Sequence, residues 1–114
     1  MRFGLKETAI AKIQSVLAHY PQVGKAILYG PRARGNYKTG SDIDLTLIGS
    51  QELTLDVLYR MMDATDELLL PYDLDLSICR HIDDPDMLAP IRRVGVVFYQ
   101  KCEVAPTADE KGAP

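Results

Sequence analysis

The feature that most constrains the fold is a two-residue alternation of polar and apolar side chains over residues 42–47, within an expected strand of Asp42–Ile48. The two alternating sets are Ile43, Leu45 and Leu47 on one side, and Asp42, Asp44 and Thr46 on the other. Because successive side chains of a strand point to opposite faces, the pattern predicts a β-strand with one buried face and one acidic face. Residues 73–78 repeat it, with Leu74, Leu76 and Ile78 against Asp73, Asp75 and Ser77. Two strands of this kind are therefore predicted.

The other patterns predict helices and short apolar strands around these two. We expect a helix over Leu5–Tyr20, a strand over Lys25–Tyr29, a short helix over Pro31–Gly35, a helix over Glu52–Leu70, a helix from Asp84 to Gly95 and a strand over Val96–Tyr99. In the long helix, Thr54 is the expected N-cap. Its expected buried side is Leu58, Met61, Met62, Thr65 and Leu69, with both methionines as core residues. The order predicts a small α/β (α+β) domain with helices on one sheet face and the aspartates on the other.

Length and composition limit the class of protein. The 114 residues predict one domain over residues 1–103, followed by a disordered tail over 104–114 that is rich in Ala, Pro, Gly and charge. No apolar run approaches the ~20 residues needed to span a bilayer. The two cysteines, Cys79 and Cys102, lack metal-ligand spacing, which favours a cytoplasmic protein with reduced thiols. The net charge of −3 argues against general nucleic-acid binding.

The paired aspartates are the strongest functional signal. Asp42 and Asp44 project to the same side of a strand, with Cα atoms ~6.5–7 Å apart. Such carboxylates repel unless a cation lies between them, and Mg²⁺ prefers oxygen ligands and keeps substrate phosphates in its shell. Asp75 is the expected third ligand, and Asp73 is the lesser choice. The bland alternative is a set of solvated aspartates at the starts of two strands.

The segments Gly30-Pro31-Arg32-Ala33-Arg34-Gly35 and Ser41-Asp42-Ile43-Asp44-Leu45 together resemble the Gly-Ser-x-Ala-Arg-Gly … Ser-Asp-Ile-Asp-Leu signature of the polymerase β-like nucleotidyltransferase superfamily. The resemblance extends over roughly residues 5–100 and is greatest to its minimal members, the MntA-like antitoxins that pair with HEPN-domain toxins. It implies the nucleotidyltransferase fold, with a mixed sheet of about four strands.

The resemblance also implies an activity and a set of site residues. The activity would be Mg²⁺-dependent transfer of AMP from ATP to a hydroxyl, for example a tyrosine of the partner toxin, with Mn²⁺ as an alternative metal. Asp42, Asp44 and Asp75 would be the catalytic and metal-binding residues. The nucleotide site would be lined by Gly30, Pro31, Arg32, Arg34 and Ser41. Arg32 or Arg34 would neutralise phosphate charge, and Arg34 has the alternative of bracing the loop.

Pro31 departs from this signature, which has serine directly after the glycine. Proline supplies neither a hydroxyl nor a backbone N–H to a phosphate. Two functions therefore remain open at this point: an adenylyltransferase-type enzyme, or a weakened or inactive antitoxin that acts by binding alone.

Overall fold

The computed structural model describes residues 2–101, and the predicted tail at 104–114 lies outside them. Four helices, four strands and a 3₁₀ turn alternate along this part of the chain. In order they are α1 (Glu7–Ala18), β1 (Val23–Tyr29), α2 (Pro31–Arg34), β2 (Ile43–Gly49), α3 (Leu55–Asp66), β3 (Leu74–Ile78), the 3₁₀ turn (Cys79–His81), α4 (Pro85–Val94) and β4 (Val96–Gln100). Within residues 2–101, no helix is long and apolar enough to cross a membrane.

The strands form one mixed sheet in the order β3-β2-β1-β4. Strand β1 is antiparallel to both β2 and β4, whereas β2 and β3 are parallel. The predicted fold class, a small mixed α/β sheet of four strands, is therefore confirmed.

The main core lies on one face of this sheet, beneath α1 and α3. The alternation along β2 sends Ile43, Leu45 and Leu47 into it, where all three are fully buried. Helix α1 contributes Ile10, Ile13 and Leu17, and α3 contributes Leu58 and Met61. Helix α4 contacts β1, and its C-cap Gly95 lies against Ile27. The face that carries Asp44 is consequently free of α1 and α3.

Helix α3 is shorter than the predicted span of Glu52–Leu70. It begins after Thr54, whose side chain accepts a hydrogen bond from the Val57 amide as the predicted N-cap. At the other end Leu69 has a φ of 54°, a left-handed conformation that no helix continues through. The predictions that Leu69 and Met62 are buried are wrong, because Leu69 is 87% exposed and Met62 is 37% exposed. The remaining expected residues of that side, Leu58, Met61 and Thr65, are buried.

Helix α4 begins as its sequence predicts. The Asp84 side chain accepts a hydrogen bond from the Asp86 amide at 2.9 Å, and Pro85 occupies the first helical position. The helix ends at Gly95, whose extended backbone leads directly into β4.

Candidate active site

Strand pairing brings two of the predicted carboxylates side by side. In the parallel register of β2 and β3, Asp44 lies opposite Asp75. Neighbouring strands are ~4.8 Å apart and side chains in register share a face, so the two carboxylates emerge together. Asp42 lies one residue before β2 and two before Asp44. Asp42 and Asp75 are exposed, whereas Asp44 is half-buried.

The electrostatics of Asp44 reflect this crowding. Burial raises the pKa of the Asp44 carboxyl, and the charges of Asp75 and then Asp42 raise it further. Each of these three effects disfavours the ionised form of Asp44. The side chain of Asp73 is not among the causes. Its carbonyl oxygen instead accepts a hydrogen bond from the Ile43 amide at 2.8 Å, which joins the starts of β2 and β3.

The donor set of Asp42, Asp44 and Asp75 fits a hard cation such as Mg²⁺, because all its atoms are carboxylate oxygens and their mutual repulsion is uncompensated. In this structure the three carboxylates lie too far apart to share one ion. Within residues 2–101, no three Asp, Glu, His or Cys side chains stand close enough together to hold a metal ion as they are. Metal binding by these three aspartates stays a prediction.

Gly30 makes room for the Asp44 carboxylate. Its φ of 76° and ψ of −162° lie in a region that is essentially confined to glycine. A Cβ atom placed on Gly30 would lie 2.4 Å from Oδ2 of Asp44. Any side chain at position 30 would therefore have to displace this carboxylate. Gly30, which the resemblance assigns to the nucleotide site, thus lies directly against Asp44.

Pro31 opens α2 directly after Gly30. The amides of Ala33 and Arg34 both donate to the Gly30 carbonyl at 3.1 Å, so they are already engaged. Proline adds no amide of its own. The turn consequently presents fewer backbone donors to a ligand than it would with serine at position 31.

The two arginines of this turn have opposite environments. Arg34 is exposed, and within residues 2–101 its side chain has no hydrogen bond or ion pair. Arg32 is 3% exposed, and its Nε, Nη1 and Nη2 atoms donate to the carbonyls of Ser41 and Phe3. The Ser41 hydroxyl accepts a hydrogen bond from the Lys38 amide at 2.8 Å. Of the two arginines expected to neutralise phosphate, Arg34 is thus the one whose guanidinium has no partner among residues 2–101.

Tyr29 is a site residue that the sequence analysis missed. It lies opposite Asp44 in the antiparallel pairing of β1 and β2, and so shares the acidic face. Burial raises the pKa of the Tyr29 phenol; a hydrogen bond with Ser77 lowers it, and the charges of Asp75 and Asp44 raise it. The strand parity of Tyr29 could have revealed this position once the register with β2 was known.

A hydroxyl pair lies next to the carboxylates. Ser77 donates to Oγ1 of Thr46 at 3.0 Å, and these residues pair across β2 and β3 two positions beyond Asp44 and Asp75. Thr46 is fully buried. The hydroxyls of Ser77 and Thr46 therefore lie on the same face as the carboxylates.

Comparison with known proteins identifies the family to which a chain with this arrangement belongs. The family model described as "Polymerase beta, Nucleotidyltransferase" matches residues 11–103. No protein of curated function matches the chain by sequence. Among solved structures, a toxin–antitoxin crystallised with AMP-PNP is similar at 20% identity and a TM-score of 0.64, over 85% of this chain and 75% of that one.

Two further structures are similar to the chain. A complex of a tri-AMPylated Shewanella oneidensis HEPN toxin with an MNT antitoxin matches at 17% identity and a TM-score of 0.63, over 93% of this chain and 78% of that one. A protein described as a minimal nucleotidyltransferase matches at 26% identity and a TM-score of 0.62, over 84% of this chain and 95% of that one. The shared fold and the family match over most of the sequence lead to one conclusion: the chain belongs to the polymerase β nucleotidyltransferase family.

Proposed function

We propose that the chain is a Mg²⁺-dependent nucleotidyltransferase that transfers AMP from ATP to a hydroxyl of a HEPN-domain toxin and thereby acts as its antitoxin. The observation that carries this proposal is the pairing of Asp44 with Asp75, with Gly30 leaving space for the Asp44 carboxylate. The HEPN partner is suggested by structural neighbours that are toxin–antitoxin complexes. The adenine nucleotide is suggested by the neighbour crystallised with AMP-PNP.

The transfer step assigns roles to the three aspartates and to Arg34. The acceptor hydroxyl oxygen forms a bond to the α-phosphorus of ATP, the bond between that phosphorus and the bridging oxygen to the β-phosphate breaks, and pyrophosphate leaves. Asp75, the exposed member of the strand pair, orients the hydroxyl and accepts its proton. Arg34 offers its exposed guanidinium to the phosphates. Asp42, Asp44 and Asp75 would hold Mg²⁺, which would supply neutralisation of the charge that develops on the phosphate oxygens.

Transfer of radioactive label tests this function. The chain is incubated with Mg²⁺, ATP and the protein encoded beside its gene, the candidate partner. ATP labelled at the α-phosphate should label the partner, whereas ATP labelled at the γ-phosphate should not, because the α-phosphate stays on the acceptor. Asp44→Asn should abolish the label, and Asp63→Asn, at an exposed position on α3, should leave it unchanged. Equal labelling by wild type and Asp44→Asn would refute the role of Asp44.

A second candidate function is favoured by Pro31: an antitoxin that neutralises its partner by contact, with weakened or absent transfer. The substitution Pro31→Ser separates the two functions. If only the serine variant transfers AMP, the natural chain acts as a binding module. If both proteins bind AMP-PNP and transfer AMP equally well, the proline does not limit the chemistry and the enzyme function holds.

A further inference from the structure

Arg32 connects parts of the chain that are distant in sequence. Its Nε and Nη2 atoms both donate to the Ser41 carbonyl, at 3.0 and 2.8 Å, and Nη1 donates to the Phe3 carbonyl at 2.8 Å. With 3% of its surface exposed, the guanidinium is enclosed by protein. A buried guanidinium is tolerated only where its donors are satisfied, and here each nitrogen has an acceptor.

Two tyrosine rings pack against the same guanidinium. The Cζ atom of Arg32 lies 5.3 Å from the ring centroid of Tyr37 and 5.1 Å from that of Tyr72, within the range of cation–π attraction. Gly4 lets Tyr37 approach, because a Cβ atom on Gly4 would lie 2.4 Å from the ring. We call this group the Arg32 clamp, and its members are Phe3, Gly4, Arg32, Tyr37, Ser41 and Tyr72.

The clamp includes residues that lie just before the two acidic strands, β2 and β3. Ser41 directly precedes Asp42, and Tyr72 lies three residues before Asp75. From Ser41 through Arg32 to Tyr72, the clamp spans the gap between the segment that carries Asp42 and the segment that leads to Asp75. The hydrogen bond from the Ile43 amide to the Asp73 carbonyl lies beside it.

We propose that Arg32 is a positioning residue, which fixes the segments of Asp42 and Asp75 relative to Asp44 and so sets the geometry of the predicted metal site. The role rests on the proposed function, because it concerns the same carboxylates. It requires arginine rather than any cation. The planar fork gives the Ser41 carbonyl oxygen two converging hydrogen bonds and the Phe3 carbonyl a third, whereas a lysine ammonium is a point charge on a flexible stem.

The chain offers a control arginine at the opposite end of the sheet. The Arg80 guanidinium, in the 3₁₀ turn after β3, donates to the carbonyls of Ser50 and Leu53. Arg80→Lys removes an exposed fork that joins the 3₁₀ turn to the single loop 50–53. Arg32→Lys removes a buried fork that joins α2 to two separate segments. Only the second fork adjoins the aspartates.

The test compares these two variants with the wild type in three measurements. They are thermal unfolding, Mn²⁺ binding by titration without nucleotide, and amide hydrogen exchange of the segments 37–44 and 72–76. We expect both variants to unfold at lower temperature. Arg32→Lys alone should raise the Kd for Mn²⁺ by about tenfold, the lower end of the usual effect of losing a partner that orients metal ligands. It alone should also accelerate exchange in the two segments.

Two results would overturn the positioning role. One is a Kd for Mn²⁺ and exchange rates that Arg32→Lys leaves at wild-type values. The other is equal weakening of Mn²⁺ binding by Arg80→Lys, since the effect would then be one of general stability. If Arg32→Lys does not fold, Tyr72→Leu and Tyr72→Phe replace it: the leucine variant should weaken Mn²⁺ binding, and the phenylalanine variant, which keeps the ring, should not.

The outcome remains distinct from the fate of the proposed function. A wild-type chain that binds no Mn²⁺ would refute the metal site. In that case faster exchange confined to 37–44 and 72–76 in Arg32→Lys would still support the clamp as the device that holds these segments, and unchanged exchange would overturn it.

Discussion

Replacing Asp44 by asparagine should stabilise the metal-free protein, although it removes the central carboxylate of the site. Burial and the charges of Asp75 and Asp42 all oppose ionisation of Asp44. An amide of the same shape carries no charge and avoids that cost. Because Asp44 is only half-buried, solvent screens the repulsion, and we expect a gain of about 0.5–1 kcal/mol in the free energy of unfolding. For a domain of this size, the gain corresponds to a rise of about 2–6 °C in Tm.

The gain should depend on pH in a defined direction. A carboxyl whose pKa is raised in the folded state binds its proton more tightly there than in the unfolded chain. The contribution of this tighter proton binding to the free energy of unfolding is complete below the unfolded-state pKa of about 3.9. It is lost as the pH rises through the folded-state pKa. The advantage of Asp44→Asn over the wild type should therefore grow from pH 4.5 to neutral pH. Glu7 works in the opposite sense, since its hydrogen bond with Arg2 lowers its pKa, but it does so equally in both proteins.

Magnesium should reverse the order of stability. A cation between the carboxylates compensates the repulsion, and a ligand at a hundred times its Kd stabilises the folded state by about 2.7 kcal/mol. Scanning calorimetry with and without Mg²⁺ should show the wild type below the Asp44→Asn variant without metal and above it with metal. Asp63→Asn, an exposed change on α3, should follow the wild type in both conditions. A lower Tm for metal-free Asp44→Asn, or an equal response of both proteins to Mg²⁺, would refute this reasoning.

Two further substitutions test the surroundings of the acidic pair. Gly30→Ala should lower the free energy of unfolding by about 2–3 kcal/mol and weaken Mn²⁺ binding, because the alanine would adopt a glycine-only backbone conformation and its Cβ would collide with Asp44. The control is Gly35→Ala, at a φ of 87° with open space around it. This variant should lose about 1 kcal/mol and bind Mn²⁺ as the wild type does. Equal metal affinities in the two alanine variants would contradict the close approach. Ser77→Ala should lower the free energy of unfolding, measured by chemical denaturation, by about 1–3 kcal/mol, because it leaves the hydroxyl of the fully buried Thr46 without its partner. The conservative Ser77→Thr should recover part of that loss. A Ser77→Ala variant as stable as the wild type would show that water satisfies Thr46.

The sheet could be predicted from the sequence because a period of two leaves few alternatives. The alternation at residues 42–47 and 73–78 assigned Ile43 to the core and Asp44 to the opposite face, and the parallel register then paired Asp44 with Asp75. The ends of α3 were harder to predict. Nothing in the residues after Asp66 forbids a helix before Pro71, and the left-handed turn at Leu69 is a local conformation that periodicity does not encode.

The environment of Arg32 could not be predicted for a different reason. An arginine beside a glycine turn is typical of phosphate binding, and its burial depends on carbonyls at Phe3 and Ser41 and on the ring of Tyr72. These partners lie 29, 9 and 40 positions away, and only tertiary structure brings them together. Tyr29 was missed because the almost wholly apolar run in β1 does not reveal which of its residues share a face with the acids.

The alternation along β2 also separates the positions that pack the core from the position proposed for chemistry. Ile43, Leu45 and Leu47 are fully buried and pack in the core. Asp44 lies on the opposite face, and its ionised carboxylate lowers the stability of the folded state. A library of variants sorted by abundance should accordingly tolerate nearly any small polar residue at position 44, and the same library sorted by transfer should accept only aspartate. Loss of activity in such a lineage needs no compensating change elsewhere in the chain. Loss of the Asp44 carboxylate is therefore favourable for the stability of the metal-free fold, whatever it does to the proposed transfer.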